Sequence, residues 1–411
     1  MKEIQRKNNI KYYETQISAI KTAIYSKFSI ITGGPGVGKT TITKAIIDIF
    51  RSMNKKIILT APTGRAAKRI TETCSVEAKT IHRLLEADHR GKFVKNEENK
   101  LNGDIVIIDE SSMIDTILMY NLLKAIPNEM TVIMIGDADQ LPSVGAGNVL
   151  NDIISSNVIP VVQLNKIYRQ SESSKIIAYS HQINLGQVPN LSNRNNSDFF
   201  FINESETENI VSTIKELCLK RLPKTYNVNP VTDIQVFSPM KRGLLGTENL
   251  NIELQSILNK SKLFIKRSAS KYKLGDKVMQ IKNNYDKNVF NGDIGFINDV
   301  DLERNTITVD FDNHVVEYSY QELDELVLSY AITIHKSQGG EFSIVIIPVH
   351  FQSRIMLQRN LIYTGVTRDK KVLVLIENYD AFKYAIQNNI SQSRKTLLKS
   401  RLVKKFDTPN L

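Results

Sequence analysis

The chain has 411 residues, 41% of them hydrophobic, and a formal net charge of +11. That length can bury a large core and predicts two or three domains. No apolar run reaches the length of a membrane span and Met1-Lys2-Glu3-Ile4-Gln5-Arg6-Lys7 lacks a signal-peptide core, so a cytoplasmic protein with no membrane partner is expected. Two cysteines, Cys74 and Cys218, are too few for a zinc site or a disulfide framework. The positive balance suits a polyanionic partner, and equally a basic soluble enzyme.

In chain order, the apolar run Phe28-Ser29-Ile30-Ile31-Thr32 leads into Gly33-Gly34-Pro35-Gly36-Val37-Gly38-Lys39-Thr40, which matches a phosphate-binding loop. Its glycines let backbone N–H groups wrap a polyphosphate, Lys39 reaches the β- and γ-phosphates, and the Thr40 hydroxyl can ligate magnesium. Ile42, Ala45, Ile46, Ile49 and Phe50 then share one helical face, so a helix N-terminus points at the anion. Lys56–Thr60, Asp104–Asp109 and Thr131–Asp137 are expected as buried parallel strands, with Thr60, Asp109 and Asp137 at carboxyl ends where ligands gather. Asp109 is placed to hold the magnesium shell, and Glu110 to orient or deprotonate an attacking water. Gln140, after the next strand, is the candidate γ-phosphate sensor, while Asp139 reads as a cap or turn residue. Arg169 and Arg368 are candidates to stabilise charge on a transferring phosphoryl group, Arg368 beginning a helix edge.

Two segments interrupt the alternation. Glu86 to Gly103 is polar, carries Phe93 at its middle and ends in Asn102-Gly103, and is expected as a protruding hairpin. About 271–322 alternates like antiparallel strands and predicts a small β-barrel inserted in the second α/β region. That region's parallel strands are expected at Asp233–Ser238, Leu326–Tyr330, Ile344–Val349 and Lys371–Ile376. The basic tail with Arg394, Lys395, Lys399, Arg401, Lys404 and Lys405 reads as a solvated end rather than a nucleic-acid arm.

Assembled in this order, the motifs resemble superfamily 1 DNA helicases of the RecD-like branch. The resemblance runs through Gln16, Gly33–Thr40, Ala61–Ala67, Lys79–Leu85, Asp109–Met113, Gly136–Gly145, Tyr168–Gln170, Ser238–Gly243, Val289–Asp293, Ala331–Phe342 and Tyr363–Arg368. It implies two RecA-like phosphate-loop domains in tandem, 1–165 and 166–411, the first with a strand-separating pin at about 86–103 and the second with an inserted barrel. It further implies 5′ to 3′ movement on single-stranded DNA driven by ATP and Mg2+, with ATP in the cleft between the domains. By carry-over Gln16 reads the adenine, Gly33, Gly34, Pro35, Gly36, Val37, Gly38, Lys39, Thr40 and Thr41 hold the nucleotide, and Glu341 touches the ribose. Arg169 and Arg368 become arginine fingers. Pro62, Thr63, Gly64, Arg65, Thr80, His82, Phe93, Thr333, His335 and Lys336 line the DNA path, His82 and His335 also being readable as core or capping residues.

The chain begins almost at Gln16, without the long N-terminal region of many relatives, and Asp369 stands where alanine is usual, expected to face solvent rather than pair with Arg368. The expected partners are single-stranded and tailed duplex DNA, with repair, recombination or replication proteins beside them, on a monomeric chain. A motor subunit of a larger assembly, a slow nucleotide-gated DNA-binding module and an RNA substrate remain as alternatives.

Overall fold

The computed structural model describes residues 10–88, 92–165, 174–190, 197–389, 394 and 396–407. The chain divides into two compact units, Met1–Ser173 with Ser391–Leu411, and Ser174–Ile390.

In the first unit β1 (Phe28–Gly33), β2 (Ile57–Ala61), β3 (Ala78–Thr80), β4 (Ile105–Ile108), β5 (Thr131–Gly136) and β6 (Val161–Leu164) form a sheet in the order β3-β2-β4-β5-β1-β6, every pair parallel. Successive side chains of a strand point to opposite faces, and the core divides accordingly. Ile31, Ile107 and Ile133 pack on one face with α1 (Glu14–Tyr25) and α2 (Lys39–Ser52), in a cluster that includes Ile20, Ile42 and Ile46. Ile30, Val106, Ile108 and Met134 pack on the other, with Leu122 and Leu150. Those two leucines belong to α5 (Thr116–Ala125) and α6 (Val149–Ser156), which follow α3 (Gly64–Cys74) and α4 (Ile81–Leu84) in the chain. A strand covered on both faces must be apolar throughout, which is why Ile105–Ile108 reads as an unbroken aliphatic run.

In the second unit β7 (Phe199–Asn203), β8 (Ile234–Ser238), β16 (Ala331–Thr333), β17 (Phe342–Val349) and β18 (Asp369–Glu377) form a second all-parallel sheet, in the order β16-β8-β17-β18-β7. Its longer helices are α7 (Lys175–Asn184), α8 (Thr207–Glu216), α9 (Thr247–Leu258), α10 (Arg359–Val366) and α11 (Tyr379–Gln387). Between β8 and β16 the chain makes the hairpin β9 (Phe264–Arg267) and β10 (Ser270–Lys273). It then builds an antiparallel sheet from β11 (Lys277–Gln280), β12 (Ile294–Asp301), β13 (Thr306–Phe311), β14 (His314–Ser319) and β15 (Leu326–Leu328).

Leu326–Tyr330 is not a strand of the parallel sheet: Leu326–Leu328 pairs antiparallel with β11, and the parallel neighbour of β8 is Ala331–Thr333. The chain changes sheets at Ser329-Tyr330, whose carbonyls both accept from Gln235 Nε2 at 2.9 Å. Nearby, the buried Asp276 carboxylate accepts from Tyr330 Oη at 2.8 Å, Asn259 Nδ2 at 2.7 Å, Gln255 Nε2 at 2.5 Å and Lys273 N at 2.7 Å. One carboxylate thus ties α9, β10 and the crossover together, as a buried charge requires.

The other departures lie at the segment from Glu86 and at the C-terminus. Ala87 and Phe93 form a single antiparallel bridge, and Asn102-Gly103 is not its turn: a Cβ at Gly103 would meet Ile58 Cδ1 at 3.0 Å, so the glycine permits close approach to β2. The basic tail is not a solvated end. From Ser391 it belongs to the first unit, not the second, because α12 (Leu398–Asp407) lays Leu398 and Leu402 on that core beside α6. Arg394 Nη1 donates to Gly145 O at 3.0 Å and Gly147 O at 2.9 Å. Leucines four apart share a helix face, which the surrounding lysines obscure in the sequence.

Leu402→Ala should lower first-unit stability by about 1–2 kcal/mol, below a fully buried leucine because Leu402 is half-exposed. Urea unfolding measures this, and an unchanged midpoint would show that the helix contributes no packing. Glu377, on β18, is buried with Oε2 unpartnered among the described residues, and burial pushes its carboxyl up to about 7. The fold therefore favours the protonated form: its contribution is complete below the unfolded carboxyl value of about 4.3 and is lost as pH rises through about 7. Glu377→Gln should flatten the fall in melting temperature between about pH 5 and about pH 8; an unaltered profile would place its origin elsewhere.

Candidate active site

Because the first sheet is parallel throughout, every β-strand ends at one edge, and the phosphate loop, Asp109, Glu110, Asp137 and Gln140 follow strand ends there. β1 delivers the loop Gly33–Thr40. Gly36 and Gly38 take φ of 72° and 84°, the left-handed backbone that lets successive loop N–H groups converge on an anion. A Cβ at Gly33 would meet Leu164 O at 2.8 Å. Val37 is buried beneath the loop, while Gly34, Pro35, Thr40 and Thr41 stay accessible. Lys39 opens α2, and its ammonium donates to Gly33 O at 2.6 Å and Gly34 O at 2.8 Å, so phosphate oxygens would replace carbonyls of its own loop. Gln16 is buried and its Oε1 accepts from Tyr13 N at 3.1 Å, closing the first turn of α1.

β4 delivers Asp109 and Glu110, both buried. Burial pushes the Asp109 carboxyl up, opposed by the guanidinium of Arg69. Arg69 was not among the sequence candidates. From α3, its Nη2 lies 2.8 Å from Glu110 Oε1 and 3.3 Å from Asp109 Oδ2. Helical spacing was the available signal, since Arg69 follows Arg65 by four residues and shares its face. Glu110 itself has φ of 48°, a left-handed conformation that for a non-glycine residue costs of order 1–3 kcal/mol and concentrates at functional sites.

β5 delivers Asp137 and Gln140. Asp139 lies in the turn after β5, and the Asp137 carboxylate accepts from Asp139 N at 3.1 Å and from the buried Gln140 Nε2 at 3.0 Å. Arg169 lies outside the described residues.

The far side of the same edge carries the candidate strand-binding groups. Thr63 caps α3, its hydroxyl accepting from Ala66 N at 3.3 Å, and Thr80 caps α4 by accepting from Arg83 N at 3.2 Å. Pro62, Gly64 and Arg65 are half-exposed around the first of these caps. His82 lies 5.9 Å from the Phe93 ring, and Phe93 packs against the core rather than standing clear of it. Burial lowers the His82 pKa, so the ring is neutral at pH 7.

The second unit separates its candidates. Thr333 ends β16 at the carboxyl edge, followed by His335, whose pKa burial also lowers, and Lys336, whose ammonium donates to Asn291 Oδ1 at 2.5 Å. Arg368 and Glu341 lie at the amino edge, where Phe342 N donates to Arg368 O at 2.9 Å and Glu341 pairs with Lys370 at 3.0 Å. Arg368 is buried in the turn after α10, not at the start of a helix. Asp369 does not face solvent: it is half-buried and its Oδ1 accepts from Lys371 N at 3.1 Å and Val372 N at 3.2 Å.

Three family models match the chain: an AAA domain over residues 16–146, the ATP-dependent RecD-like DNA helicase SH3 domain over 250–311, and the UvrD-like helicase C-terminal domain over 328–376. The chain is 33% identical over 389 residues to the ATP-dependent RecD2 DNA helicase of Deinococcus radiodurans, covering 95% of this chain and 52% of that protein. It thus spans about half the length of this relative. It is 29% identical to the RecBCD enzyme subunit RecD of Buchnera aphidicola, covering 91% of this chain and 74% of that subunit. In fold it is similar to a Bacteroides Pif1 helicase crystallised with ADP-AlF3 and single-stranded DNA, with a TM-score of 0.55 at 19% identity, covering 98% of each chain. Together with the ordered motifs on the two parallel sheets, these likenesses show that the chain belongs to the RecD-like helicases of superfamily 1.

Proposed function

We propose that this chain is an ATP-dependent DNA helicase that moves 5′ to 3′ on single-stranded DNA and separates duplex strands. The observation that supports it most is the shared edge of the first sheet, where the phosphate loop, the pair Asp109-Glu110 and the caps of α3 and α4 meet. In this reading the two units are tandem RecA-like domains, residues 86–103 act as the pin, and the antiparallel sheet is the inserted barrel.

ATP is the substrate. The loop amides and Lys39 bind its phosphates, Gln16 contacts the adenine, and Glu341 the ribose. Water oxygen attacks the γ-phosphorus, the bond to the bridging oxygen breaks, and ADP and phosphate leave as Glu110 takes the water proton. Gln140 senses the γ-phosphate, while Arg169 and Arg368 offset negative charge on the transferring group. Thr40 and Asp109 offer hard oxygen donors, suited to a magnesium ion that takes its remaining ligands from phosphate and water. When bound, that ion neutralises phosphate charge.

The strand contacts proposed for Thr63, Arg65, Thr80, His82, Thr333, His335 and Lys336 are directed at the backbone. DNA affinity should therefore fall with salt and depend little on sequence. With both histidines neutral, their share is hydrogen bonding or stacking rather than charge. The likeness to relatives named as RecD subunits of the RecBCD enzyme favours a second reading, a motor that opens duplexes only within an assembly.

Lys39→Ala should abolish ATP turnover, at least a hundredfold by order of magnitude, while single-stranded DNA affinity persists. Partial duplexes with a 5′ or a 3′ tail test the motor. Opening of the 5′-tailed substrate alone, lost in the variant, is the expected result. DNA-stimulated turnover with neither substrate opened would replace the helicase reading with the subunit one. Turnover surviving in Lys39→Ala would overturn the phosphate-loop assignment.

A further inference from the structure

We propose that Arg69 is a positioning residue that couples the strand-binding end of α3 to hydrolysis, holding Glu110 until an anionic strand occupies that end. The inference rests on the helicase reading above. Three features of the first unit carry it.

The guanidinium bridges both hydrolytic carboxylates, 2.8 Å from Glu110 Oε1 and 3.3 Å from Asp109 Oδ2. The group is largely withdrawn from water, with side-chain exposures of 27% for Arg69, 12% for Asp109 and 8% for Glu110. A carboxylate oxygen committed to a charge-assisted bond cannot take a proton from water without giving that bond up. Topology supplies the path: β2 and β4 are neighbours, with Thr60 beside Ile108 and Asp109 N donating to Thr60 O at 2.9 Å, so the helix that leaves β2 starts next to the end of β4. Finally, Thr63, Gly64 and Arg65 stand at the N-terminus of the same helix, with Thr63 capping it. Arg69 lies six residues beyond Thr63, about 9 Å along the axis. A phosphodiester drawn to those N-terminal groups displaces a single rigid element, and the guanidinium moves with it. The bland alternative is that Arg69 only balances two buried negative charges.

The test measures ATP hydrolysis by the full chain with and without an oligothymidylate, for the native protein, Arg69→Ala and Arg69→Lys. Oligothymidylate affinity is read in parallel without nucleotide. Arg69→Ala should raise the DNA-free rate roughly tenfold, the size expected when one charge-assisted bond no longer has to break. Its DNA-stimulated rate and its oligothymidylate affinity should stay within about twofold of native, so the stimulation ratio collapses. Arg69→Lys, whose ammonium cannot bridge two carboxylates in the same fork, should lie between. If Arg69→Ala does not fold, the ratio in Arg69→Lys decides alone. Equal loss of both rates with the ratio preserved would mean simple charge balance and overturn the proposal while leaving the helicase reading intact. A native chain that hydrolyses no ATP in either condition overturns both.

Discussion

The parallel register of the first sheet is the constraint on which the site depends. Thr32 lies beside Gly136, Thr60 beside Ile108, and Ile108 beside Met134, so the β1, β2, β4 and β5 strands run out together. Apolar clusters cover both faces, and each fully buried isoleucine or leucine contributes about 1.5–3 kcal/mol. A one-residue slip of β4 would exchange its two faces and move Asp109 into the core. Polar chemistry is thereby confined to the strand ends. The loops that follow have no other place to deliver Lys39, Asp109, Glu110 and Gln140.

That confinement has an electrostatic consequence. Asp109 and Glu110 follow four buried aliphatic residues directly and are themselves buried, where two adjacent carboxylates repel. Arg69 supplies the opposing charge, and Asp137 absorbs the amide of Gln140. The site thus holds two bonded groups, Arg69 with Asp109 and Glu110, and Asp137 with Gln140, rather than independent side chains. Removal of any one charge must alter its neighbours, the reason single substitutions here are read through ratios.

The second unit uses the same sheet logic to the opposite effect. Thr333, His335 and Lys336 leave β16 at the carboxyl edge, and the chain then crosses to begin β17 at the amino edge beside Arg368 and Glu341. Residues nine positions apart in sequence therefore lie at opposite ends of the strands. The Asp276 node keeps the antiparallel sheet attached to this framework through Tyr330, Asn259 and Gln255.

Much of this was legible from local pattern. The phosphate loop, the aliphatic strands before Asp109 and Gly136, and the antiparallel alternation from Ile307 to Tyr318 declare themselves through spacing, because backbone periodicity and glycine conformation are local properties. Other features depended on partners distant in the chain. The run from Leu326 to Thr333 carries no break residue, yet it changes sheets because Gln235 and Asp276 hold its middle. Leu398 and Leu402 sit among the basic residues of the tail, and only the core near α6 gives them a surface. Asp369 faces inward because the backbone N–H groups of Lys371 and Val372 donate to its carboxylate. The sequence by itself determined which residues can do chemistry and which strands must be buried, since both follow from side-chain type and period. Only the tertiary structure decided that Arg69 meets Glu110 and Asp109, because their contact depends on β2 and β4 lying side by side, and strand order is not encoded in any single segment.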